Sequence, residues 1–489
     1  MTSAEAGRPV LAMVESNTTG TGRMFAVAAR VRDLRPVLLS ARPDRYPWAV
    51  ADAVDVVRAD TTDAESVVAV ARAVAGAGAG AGGEALAGLV TSSEYFVAVT
   101  ARAAIRLGLP GADPAAVERC RDKRRQRAAL AGSGVAVPAY AAATTPEEAV
   151  KAATAVGFPA VVKPADGTGS RGVRLCCDPA EVRHHAASLL AVRQDERGQP
   201  TMPAVLVEEY VPGPEVSVET FGTEVVGITA KHLGRLPSFV ECGHDFPADL
   251  AAAQPGAATH LGGPPDRGPV ADIVGGVAVA AVAALGLGFG PAHTEIRLGR
   301  RGPVVIEVNP RLAGGGIPTL VRLATGIDLV GAAVDAAVLG GSGRLCRGDT
   351  PHPPGGAGRP LPDPGLSSAA PAAVIGGTPP APRGHASIRF LVAPRAGRVR
   401  ATAGVAEAAA VPGVVDVAIT ARAGHRVGGT GSFLDRIGHV ITAAPTAGSA
   451  RSAAETALAL LRVDLDTRDL DDGDGVAAAP PRSTPTAVA

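Results

Sequence analysis

The sequence predicts a multidomain protein of mixed α/β and α+β class, in which an open parallel sheet comes first and antiparallel ribbons follow. Three observations predict this architecture. The length of 489 residues exceeds what a single hydrophobic core fills. Near the amino terminus, short apolar runs alternate with stretches of helical period. Further along, apolar runs of strand length come in pairs that short turns separate.

The composition excludes several classes of partner. Lys plus Arg and Asp plus Glu number 47 each, so no net field draws the chain to nucleic acid or to an anionic membrane. Aromatic residues make up 3%, which is too few for base-stacking platforms. The apolar run 273–292 ends in glycines and a proline, so we expect a packed interior helix there and not a membrane span.

Cysteine usage and the amino terminus indicate a cytoplasmic protein. The five cysteines form no CxxC pair, and an odd number argues against a disulfide framework. The first apolar run, Val10–Val14, is too short for the apolar core of a signal peptide. We therefore expect a reducing compartment.

Residues 1–112 predict one α/β domain that begins with a βαβ unit. Val10–Val14 is a buried strand, 23–34 a helix and 36–40 the next strand. The loop 15–22 reads ESNTTGTG and lacks the third glycine of the dinucleotide fingerprint, so nicotinamide binding is not expected. Its backbone N–H groups could still bind a substrate carboxylate or phosphate at the start of the helix.

The same alternation continues to the end of this domain. The segment 54–57 predicts a strand, 63–75 a helix, 89–91 a further strand and 96–107 its helix. The alanine- and glycine-rich run 76–83 predicts a loop.

Two lysines and a glycine-rich loop indicate phosphate binding. The basic, helical stretch 113–131 contains Lys123, and a buried strand downstream ends in Lys163. The segment 166–172, DGTGSRG, has three glycines and two hydroxyl residues, so its backbone N–H groups can converge on an anion. It is not a Walker A loop, because GK[S/T] is missing and a strand, 173–176, follows.

Acidic residues on the next strand pair fit a nucleoside. Glu208 and Glu209 end a buried strand, and Glu215 begins another after a Pro-Gly turn. Their carboxylates could accept the adenine amino group and the ribose hydroxyls. Lys231 lies on the strand that follows, and 239–247 is predicted to be a loop that carries an acid, a thiol and imidazole.

The segment 293–316, HTEIRLGRRGPVVIEVNPRLAGGG, predicts a hairpin with a metal site. Side-chain direction repeats every two residues along a strand, so Glu307 and Asn309 share a face, and pairing can bring Glu295 onto it. Three oxygen donors suit Mg²⁺. Arg311 adds a cation beside these oxygen donors. A metal site next to a cation is suited to binding an anionic phosphate.

These motifs occur in an order that resembles the ATP-grasp superfamily of carboxylate–amine (or thiol) ligases. The order is VVKP with the glycine-rich loop, VEEYVPGPE, TEI and IEVNPR, and the resemblance covers about 112–340. It implies these contacts with ATP: Lys123, Lys163, Gly167, Thr168, Gly169, Ser170, Glu208, Glu209, Val211 and Glu215. It also implies that Glu295, Glu307 and Asn309 bind Mg²⁺ or Mn²⁺, and that Arg311, Lys231 and Gly315 are catalytic.

A narrower resemblance concerns the substrates. RLAGGGIP, SNTTGTG and ECGHDFPA resemble the amino-acid and dipeptide ligases of natural-product pathways, and a Gln-Val-Glu bicarbonate pocket is missing after Arg311. The implied reaction forms an amide through an acyl phosphate and releases ADP and phosphate. Two alternatives remain: a carboxylase or purine-type synthetase, and a non-catalytic nucleotide-binding regulator. The expected partners are small molecules, and a homodimer is common among such ligases.

The rest of the chain completes the predicted domain plan. The catalytic region is predicted at 113–348, with a mobile subdomain at about 135–212. A Pro/Gly-rich linker is predicted at 349–384, a C-terminal α/β domain at 385–465 and a disordered tail at 466–489.

Several polar residues keep open roles. Arg389 and His439 lie on predicted strands, and we expect them to be structural. Glu15, Glu241 and His244 lie in predicted loops, whose contacts no general rule assigns from sequence.

Overall fold

The computed structural model describes residues 7–17, 21–76, 85–250, 268–340 and 382–467. Most of the predicted Ala/Gly loop and linker, and nearly all of the predicted tail, lie outside these ranges. Within them, no helix is both long enough and apolar enough to cross a membrane.

The described residues form four sheets and the helices that cover them. The strands are β1 (Val10–Val14), β2 (Arg35–Ser40), β3 (Asp55–Arg58), β4 (Leu86–Val90), β5 (Tyr140–Ala143), β6 (Ala160–Pro164), β7 (Arg174–Cys176), β8 (Val205–Glu209), β9 (Glu215–Phe221), β10 (Glu224–Leu233), β11 (Glu241–Phe246), β12 (Pro291–Gly299), β13 (Gly302–Asn309), β14 (His385–Val392), β15 (Gly397–Ala403), β16 (Val414–Ile419), β17 (Arg426–Val427), β18 (Arg436–Ala444) and β19 (Arg462–Asp466). The helices are α1 (Thr21–Val31), α2 (Pro47–Ala51), α3 (Ala64–Gly76), α4 (Val97–Arg106), α5 (Pro114–Arg121), α6 (Lys123–Gly132), α7 (Pro146–Val156), α8 (Pro179–Ala191), α9 (Gly268–Ala284), α10 (Ile317–Thr325), α11 (Leu329–Leu339), α12 (Val405–Ala409) and α13 (Ala447–Leu460).

The predicted parallel sheet is present near the amino terminus, in the order β3-β2-β1-β4. Helices cover both of its faces, which explains why β1 is an unbroken apolar run and does not alternate. α3 and α4 pack on one face. α1, α10 and α11 pack on the other, in a core that also contains side chains of the largest sheet. α11 therefore joins the N-terminal sheet to the rest of the protein.

A four-stranded antiparallel sheet, β5-β8-β6-β7, carries the phosphate loop between β6 and β7. α7 and α8 pack against it through a small apolar core. The sequence analysis missed α8, although its start is marked: Pro179 occupies the first turn, and the Asp178 carboxylate accepts from the backbone N–H groups of Ala180 and Glu181.

The largest sheet has eight antiparallel strands in the order β13-β12-β9-β10-β11-β14-β18-β16. α9 packs on one of its faces, where Val274, Ala278 and Val282 are fully buried, as expected for a packed interior helix. β14, β18 and β16 belong to the predicted C-terminal domain, yet they continue this sheet through the pairing of β11 with β14. The predicted boundary before residue 385 is therefore not a boundary between sheets.

The prediction of a loop at 239–247 is wrong, because β11 occupies most of it. β11 pairs with β10 on one side and β14 on the other, with His244 opposite both Lys231 and Ile388. The strand could not be predicted from the sequence, because buried charged residues lie on both faces of the sheet at β11. The segment therefore has no alternation of apolar and polar residues.

The predicted basic stretch 113–131 consists of two helices. α5 and α6 are divided at Asp122, whose carboxylate accepts from the backbone N–H of Arg124 and caps α6. This break places Lys123 in the first turn of α6.

The last described strands form a three-stranded sheet, β17-β15-β19. β19 ends at Asp466, where the tail was predicted to begin. α13 packs on β14 and β18, which attaches the C-terminal region to the eight-stranded sheet.

Candidate active site

The phosphate loop, 166–172, lies directly over the β12–β13 hairpin. Lys123 joins the two: its Nζ donates to the Gly167 carbonyl at 2.5 Å and to Glu307 Oε1 at 2.8 Å. The loop turns tightly, since the Arg171 N–H donates to the Thr168 carbonyl and Gly169 and Ser170 both have positive φ. Lys123 is 5% exposed, so it is a buried cation between a loop carbonyl and a carboxylate.

Lys163 lies at the end of β6, as predicted, and pairs with Glu208. The register places Glu208 opposite Val161 and Leu206 opposite Lys163, so both charged side chains project from one face. Lys163 Nζ lies 2.5 Å from Glu208 Oε2, and Arg127 Nε lies 2.6 Å from Oε1. Burial by itself would raise the pKa of Glu208, but Arg127 and Lys163 lower it overall.

The segment from the end of β8 to the start of β9 is predicted to bind adenine. Side chains of the β12–β13 hairpin fix its position. Glu209 points to the surface and pairs with Arg301 at 2.6 Å. Arg297 donates to the Val211 carbonyl at 3.1 Å and to Glu215 Oε2 at 3.1 Å, and its guanidinium lies over the Tyr210 ring. The turn therefore has a fixed position against β12.

The predicted metal ligands share one face of the hairpin. Glu295 and Glu307 are direct cross-strand partners, and Asn309 is opposite His293. Cross-strand partners have Cβ atoms about 5 Å apart. A β-bulge follows Glu295, and bulges of this kind often reorient side chains next to active sites. Two carboxylates and an amide therefore lie together, as the alternation of the strands predicted.

This donor set fits Mg²⁺ by its chemistry. The two carboxylates and the Asn309 amide supply the hard oxygen ligands that Mg²⁺ takes together with phosphate oxygens and water. Over the described ranges, no group of three or more His, Cys, Asp or Glu side chains is arranged to hold a metal. The set Glu295, Glu307 and Asn309 has only two such side chains, so phosphate oxygens would complete the coordination.

Lys231 is shared by three carboxylates on this sheet face. Its Nζ lies 2.9 Å from Glu215, 2.8 Å from Glu241 and 2.7 Å from Glu295. Burial opposes its charge, but the three carboxylates raise its pKa well above the usual value. Lys231 therefore stays an ammonium group, and the pKa of Glu295 is held low.

Arg311 follows β13 and reaches the N-terminal region. Its Nε donates to Glu94 Oε2, and its Nη1 donates to the Leu312 carbonyl at 2.9 Å. Glu94 Oε1 accepts from Arg121 at 3.2 Å. The arginine predicted to act on phosphate is thus held by a carboxylate that the sequence analysis did not single out.

Gly315 lies against His244. The ring Nδ1 of His244 is 3.0 Å from the Gly315 carbonyl, and a Cβ on Gly315 would overlap the ring. With φ of +60°, this position favours glycine both by conformation and by contact. On its other side, His244 Nε2 lies 3.5 Å from Glu241.

Two elements close over the phosphate loop. The loop after α8 contacts both the phosphate loop and the N-terminal region. Its Glu196 accepts from Arg171 of the phosphate loop and from Tyr95 of the N-terminal region, and its Arg197 donates to the Tyr46 hydroxyl at 3.0 Å. A cavity of about 480 Å³ adjoins this contact and the phosphate loop.

From the C-terminal region, the Phe433 N–H donates to the Gly169 carbonyl at 3.3 Å, and its ring fills the space beside Gly169. The C-terminal region therefore supplies part of the surface that covers the loop.

Five residues of this site were not predicted from the sequence: Glu94, Gln126, Arg127, Glu241 and His244. Gln126 donates to the Val308 carbonyl and accepts from its N–H, which fixes the end of β13. Most of their contacts join segments far apart in the chain, so no local spacing marks them. The run ECGH at 241–244 was noted as polar but was predicted to be a loop. Because it forms a strand, His244 projects from the same sheet face as Lys231.

Glu15, whose role the sequence left open, has structural contacts. Glu15 accepts from Ser40, Ala41, Tyr46 and Thr61 and is fully engaged.

Cys176 is buried, and burial raises the pKa of its thiol to about 12, which argues against a nucleophilic role.

Two family descriptions match parts of the chain. "Carbamoyl-phosphate synthase L chain, ATP binding domain" matches residues 122–222, and "L-amino acid ligase C-terminal domain 2" matches residues 389–466. The first match contains both lysines, the phosphate loop and Glu208. The second contains the strands that extend the eight-stranded sheet.

Curated relatives match over different lengths. The chain is 36% identical over 449 residues to the uncharacterized protein y4rH of Sinorhizobium fredii, which covers 91% of this chain and 81% of that protein. It is 33% identical over 254 residues to carnosine synthase 1 of Gallus gallus, which covers 49% of this chain and 26% of that protein. The chain thus matches only about a quarter of the carnosine synthase.

Among solved structures, L-amino acid ligase from Bacillus licheniformis has the same fold. The TM-score is 0.70 at 23% identity, and the alignment covers 94% of this chain and 100% of that one.

Proposed function

The chain belongs to the ATP-grasp superfamily of carboxylate–amine ligases, and we propose that it joins the carboxylate of an amino acid to an amine while ATP is converted to ADP and phosphate. One observation carries this proposal. Glu295 and Glu307 are cross-strand partners, and Lys123 connects Glu307 to the phosphate loop. Oxygen ligands for a metal and donors for a triphosphate therefore meet at one place.

We place ATP between the four-stranded and eight-stranded sheets. The triphosphate would lie under Gly167, Thr168, Gly169 and Ser170, with Lys123 and Lys163 as charged donors. The backbone of Glu209 and Val211 would contact adenine, and Glu215 would accept the ribose hydroxyls. Glu208 already binds two cations, so we assign it to holding Lys163 in place and not to the adenine amino group.

Mg²⁺ would be held by Glu295, Glu307 and Asn309, with Mn²⁺ as a substitute. When bound, it would neutralise charge that builds on the phosphates during transfer. Lys123 and Lys231 now balance Glu307 and Glu295, and both would remain beside the phosphates as further positive charge.

The chemistry divides into two steps. The carboxylate attacks the γ-phosphorus of ATP and displaces ADP, which gives an acyl phosphate. The amine then attacks the acyl carbon, phosphate leaves, and the nitrogen loses a proton to give the amide. Arg311 and the N–H groups next to Gly315 would stabilise negative charge on the acyl oxygen. Closure by the phosphate loop would keep water from the acyl phosphate. Because three carboxylates hold Lys231 as an ammonium, we assign it to charge balance and not to proton transfer.

The alternatives make different predictions. A carboxylase or purine-type synthetase would need bicarbonate or a nucleotide precursor for ATP turnover. A non-catalytic nucleotide-binding regulator would release no phosphate at all. The retained set Glu295, Glu307, Asn309 and Arg311 favours turnover. The amino-acid type of substrate is favoured by the match to the L-amino acid ligase C-terminal domain, and a place in natural-product biosynthesis stays a prediction.

The test is phosphate release from ATP by the full chain with single amino acids and with pairs of them, with and without bicarbonate, followed by mass detection of the product. Amino acids labelled with oxygen-18 in the carboxylate should transfer label to phosphate, because the acyl phosphate breaks at the carbon–oxygen bond. Glu307→Gln should lose turnover, whereas the matched control Glu65→Gln, at an exposed pair with Arg106, should keep it. Phosphate release that needs bicarbonate and gives no amide would overturn the proposal.

A further inference from the structure

We propose that Glu94, in the N-terminal region, is a positioning residue that orients Arg311 toward the acyl group during amide formation. The inference rests on the proposed function, in which Arg311 stabilises charge on the reacting acyl group. It adds a residue that lies outside the nucleotide-binding region and that no motif marks.

Glu94 is a buried carboxylate at a junction of three segments. It is 7% exposed and begins a short turn of 3₁₀ helix, Glu94–Phe96, after β4. Arg311 lies 217 residues away in sequence, just beyond the Mg²⁺ ligands. Arg121, at the end of α5, contacts the other oxygen of Glu94 at 3.2 Å. The carboxylate therefore has one oxygen for each arginine.

The contacts fix the direction of the Arg311 guanidinium. Glu94 accepts from Nε, and the Leu312 carbonyl accepts from Nη1 at 2.9 Å. Among the described residues, these are the hydrogen bonds that the guanidinium makes, and they leave Nη2 for an oxygen of the substrate. A planar guanidinium that is held at two nitrogens has little freedom at the third.

Glu94 also reaches the phosphate loop through Arg121. The Nη2 of Arg121 donates to the Asp166 carbonyl at 3.3 Å, at the first residue of that loop. Glu94 thus lies between the loop that covers the phosphates and the arginine that acts on the acyl group. Both must be placed correctly around the same acyl phosphate, and a group that contacts both partners can set their relative position.

The charge state of Glu94 suits this role. Burial raises the pKa of its carboxyl, but Arg311, Arg121 and Lys123 lower it overall. A charged pair that is buried in this way gives directional hydrogen bonds that are shielded from water.

The expected effect of Glu94→Gln is a loss in kcat of about 10- to 100-fold, in the range of losses seen when a supporting partner of a catalytic group is removed. The KM for ATP should change by less than about threefold, since Glu94 contacts none of the residues assigned to adenine or ribose. Glu94→Asp keeps the charge. The logarithm of its kcat should therefore lie at least about halfway from the value for Glu94→Gln to the value for the parent chain.

A double-mutant cycle on the full chain separates positioning from general stabilisation. The variants are Glu94→Gln, Arg311→Lys and the two combined, and the readouts are kcat, the KM for ATP and the thermal midpoint. We expect Glu94→Gln to lower kcat by less than about threefold in the Arg311→Lys background, because the group it orients is already impaired. Glu65→Gln, at an exposed pair with Arg106 in the N-terminal region, serves as the control and should match the parent chain.

Equal losses in both backgrounds would overturn the proposal, and so would an unchanged kcat in Glu94→Gln. If Glu94→Gln does not fold, Glu94→Asp in the two backgrounds decides in the same way. An Arg311→Lys variant whose kcat equals that of the parent chain would overturn the positioning role alone. A parent chain that forms no amide would overturn the proposed function instead, so the two failures can be told apart.

Discussion

The two faces of the eight-stranded sheet both hold buried charged clusters, and the two clusters are centred on groups of opposite sign. On the face that carries the candidate site, the single ammonium of Lys231 lies within hydrogen-bonding distance of Glu215, Glu241 and Glu295. Two of these carboxylates have a second cationic partner: Arg297 pairs with Glu215 at 3.1 Å, and Arg436 pairs with Glu241 at 2.5 Å.

On the opposite face, one carboxylate serves several donors. Asp245 accepts from Arg389 at 2.8 Å, Arg451 at 2.9 Å and Ser387 at 2.8 Å, and it lies 2.7 Å from His232. Arg451 belongs to α13, so this cluster ties the C-terminal helix to the sheet. Arg389 is structural, as the sequence analysis expected.

The two clusters alternate along the same strands. Lys231 and His232 are neighbours on β10, and His244 and Asp245 are neighbours on β11. Burial of charge therefore does not distinguish a reaction site from a structural ion network. Position does, because Glu295 lies opposite Glu307, which Lys123 connects to the phosphate loop, whereas Asp245 is surrounded by donors from β14 and α13.

The largest expected effect that separates the two clusters is a loss of ATP turnover when the cluster around Lys231 is changed. Glu295→Gln should lower kcat at least about 100-fold, since even supporting partners of metal ligands cost about 10- to 100-fold. Stability should change little, because Lys231 keeps Glu215 and Glu241. Turnover of ATP and calorimetric unfolding of the same preparation measure both. A large fall in the unfolding temperature with unchanged turnover would show that the cluster around Lys231 stabilises the fold and does not act in the reaction.

Asp245→Asn should show the reverse pattern. Arg389 and Arg451 would lose their anionic partner, and breaking a buried pair in this way costs about 3–5 kcal/mol of unfolding free energy. The kcat of the folded fraction should stay within about twofold of the parent, because Asp245 faces away from the site. Denaturant unfolding together with active-site-normalised kinetics checks both parts. A selective loss of kcat would contradict the division of the sheet into two faces.

The same residue predicts how stability depends on pH. Burial opposes ionisation of Asp245, but His232 and Arg389 hold the pKa of its carboxyl well below the usual value. A carboxyl group whose folded-state pKa is lowered stabilises the protein above its unfolded-state pKa of about 3.9, and this contribution is lost as pH falls further.

Unfolding free energy should therefore drop below about pH 4, by up to about 1.4 kcal/mol per pH unit for this group. Asp245→Asn should have a shallower drop than the parent. Urea unfolding at a series of acidic pH values measures the slopes. Identical slopes would show that Asp245 is not the group that titrates.

The smallest effect is expected at the surface pair between the end of β8 and the turn after β12, outside both clusters. Glu209→Ala removes an exposed pair with Arg301, and exposed pairs contribute about 0–1 kcal/mol. If the backbone of Glu209 contacts adenine, the KM for ATP should change by less than about threefold. A tenfold rise would mean that the side chain itself binds the nucleotide.

The parts of the site that lie in local sequence patterns were predicted, and the parts that depend on long-range contacts were not. The alternation IEVN and the pairing of a short hairpin were enough to bring Glu295 and Glu307 together, because side-chain direction along a strand is fixed by geometry. Lys163 was predicted at the end of its strand for the same reason.

Glu94 could not be predicted, since its partner Arg311 comes from a segment 217 residues away. β11 was missed because its polar residues carry no apolar alternation. The parallel N-terminal sheet was predicted from βαβ order alone. Its second face is covered by α11, however, which lies beyond the catalytic hairpin in the chain, and no local pattern indicates that packing.

The most direct test of the central claim is a crystal structure of the full chain with ADP and Mn²⁺, with anomalous scattering used to locate the metal. The account predicts an anomalous peak between Glu295 and Glu307, within coordination distance of Asn309, and phosphates beneath the loop near Lys123 and Lys163. A nucleotide bound elsewhere, or a metal coordinated by residues away from this hairpin, would contradict it.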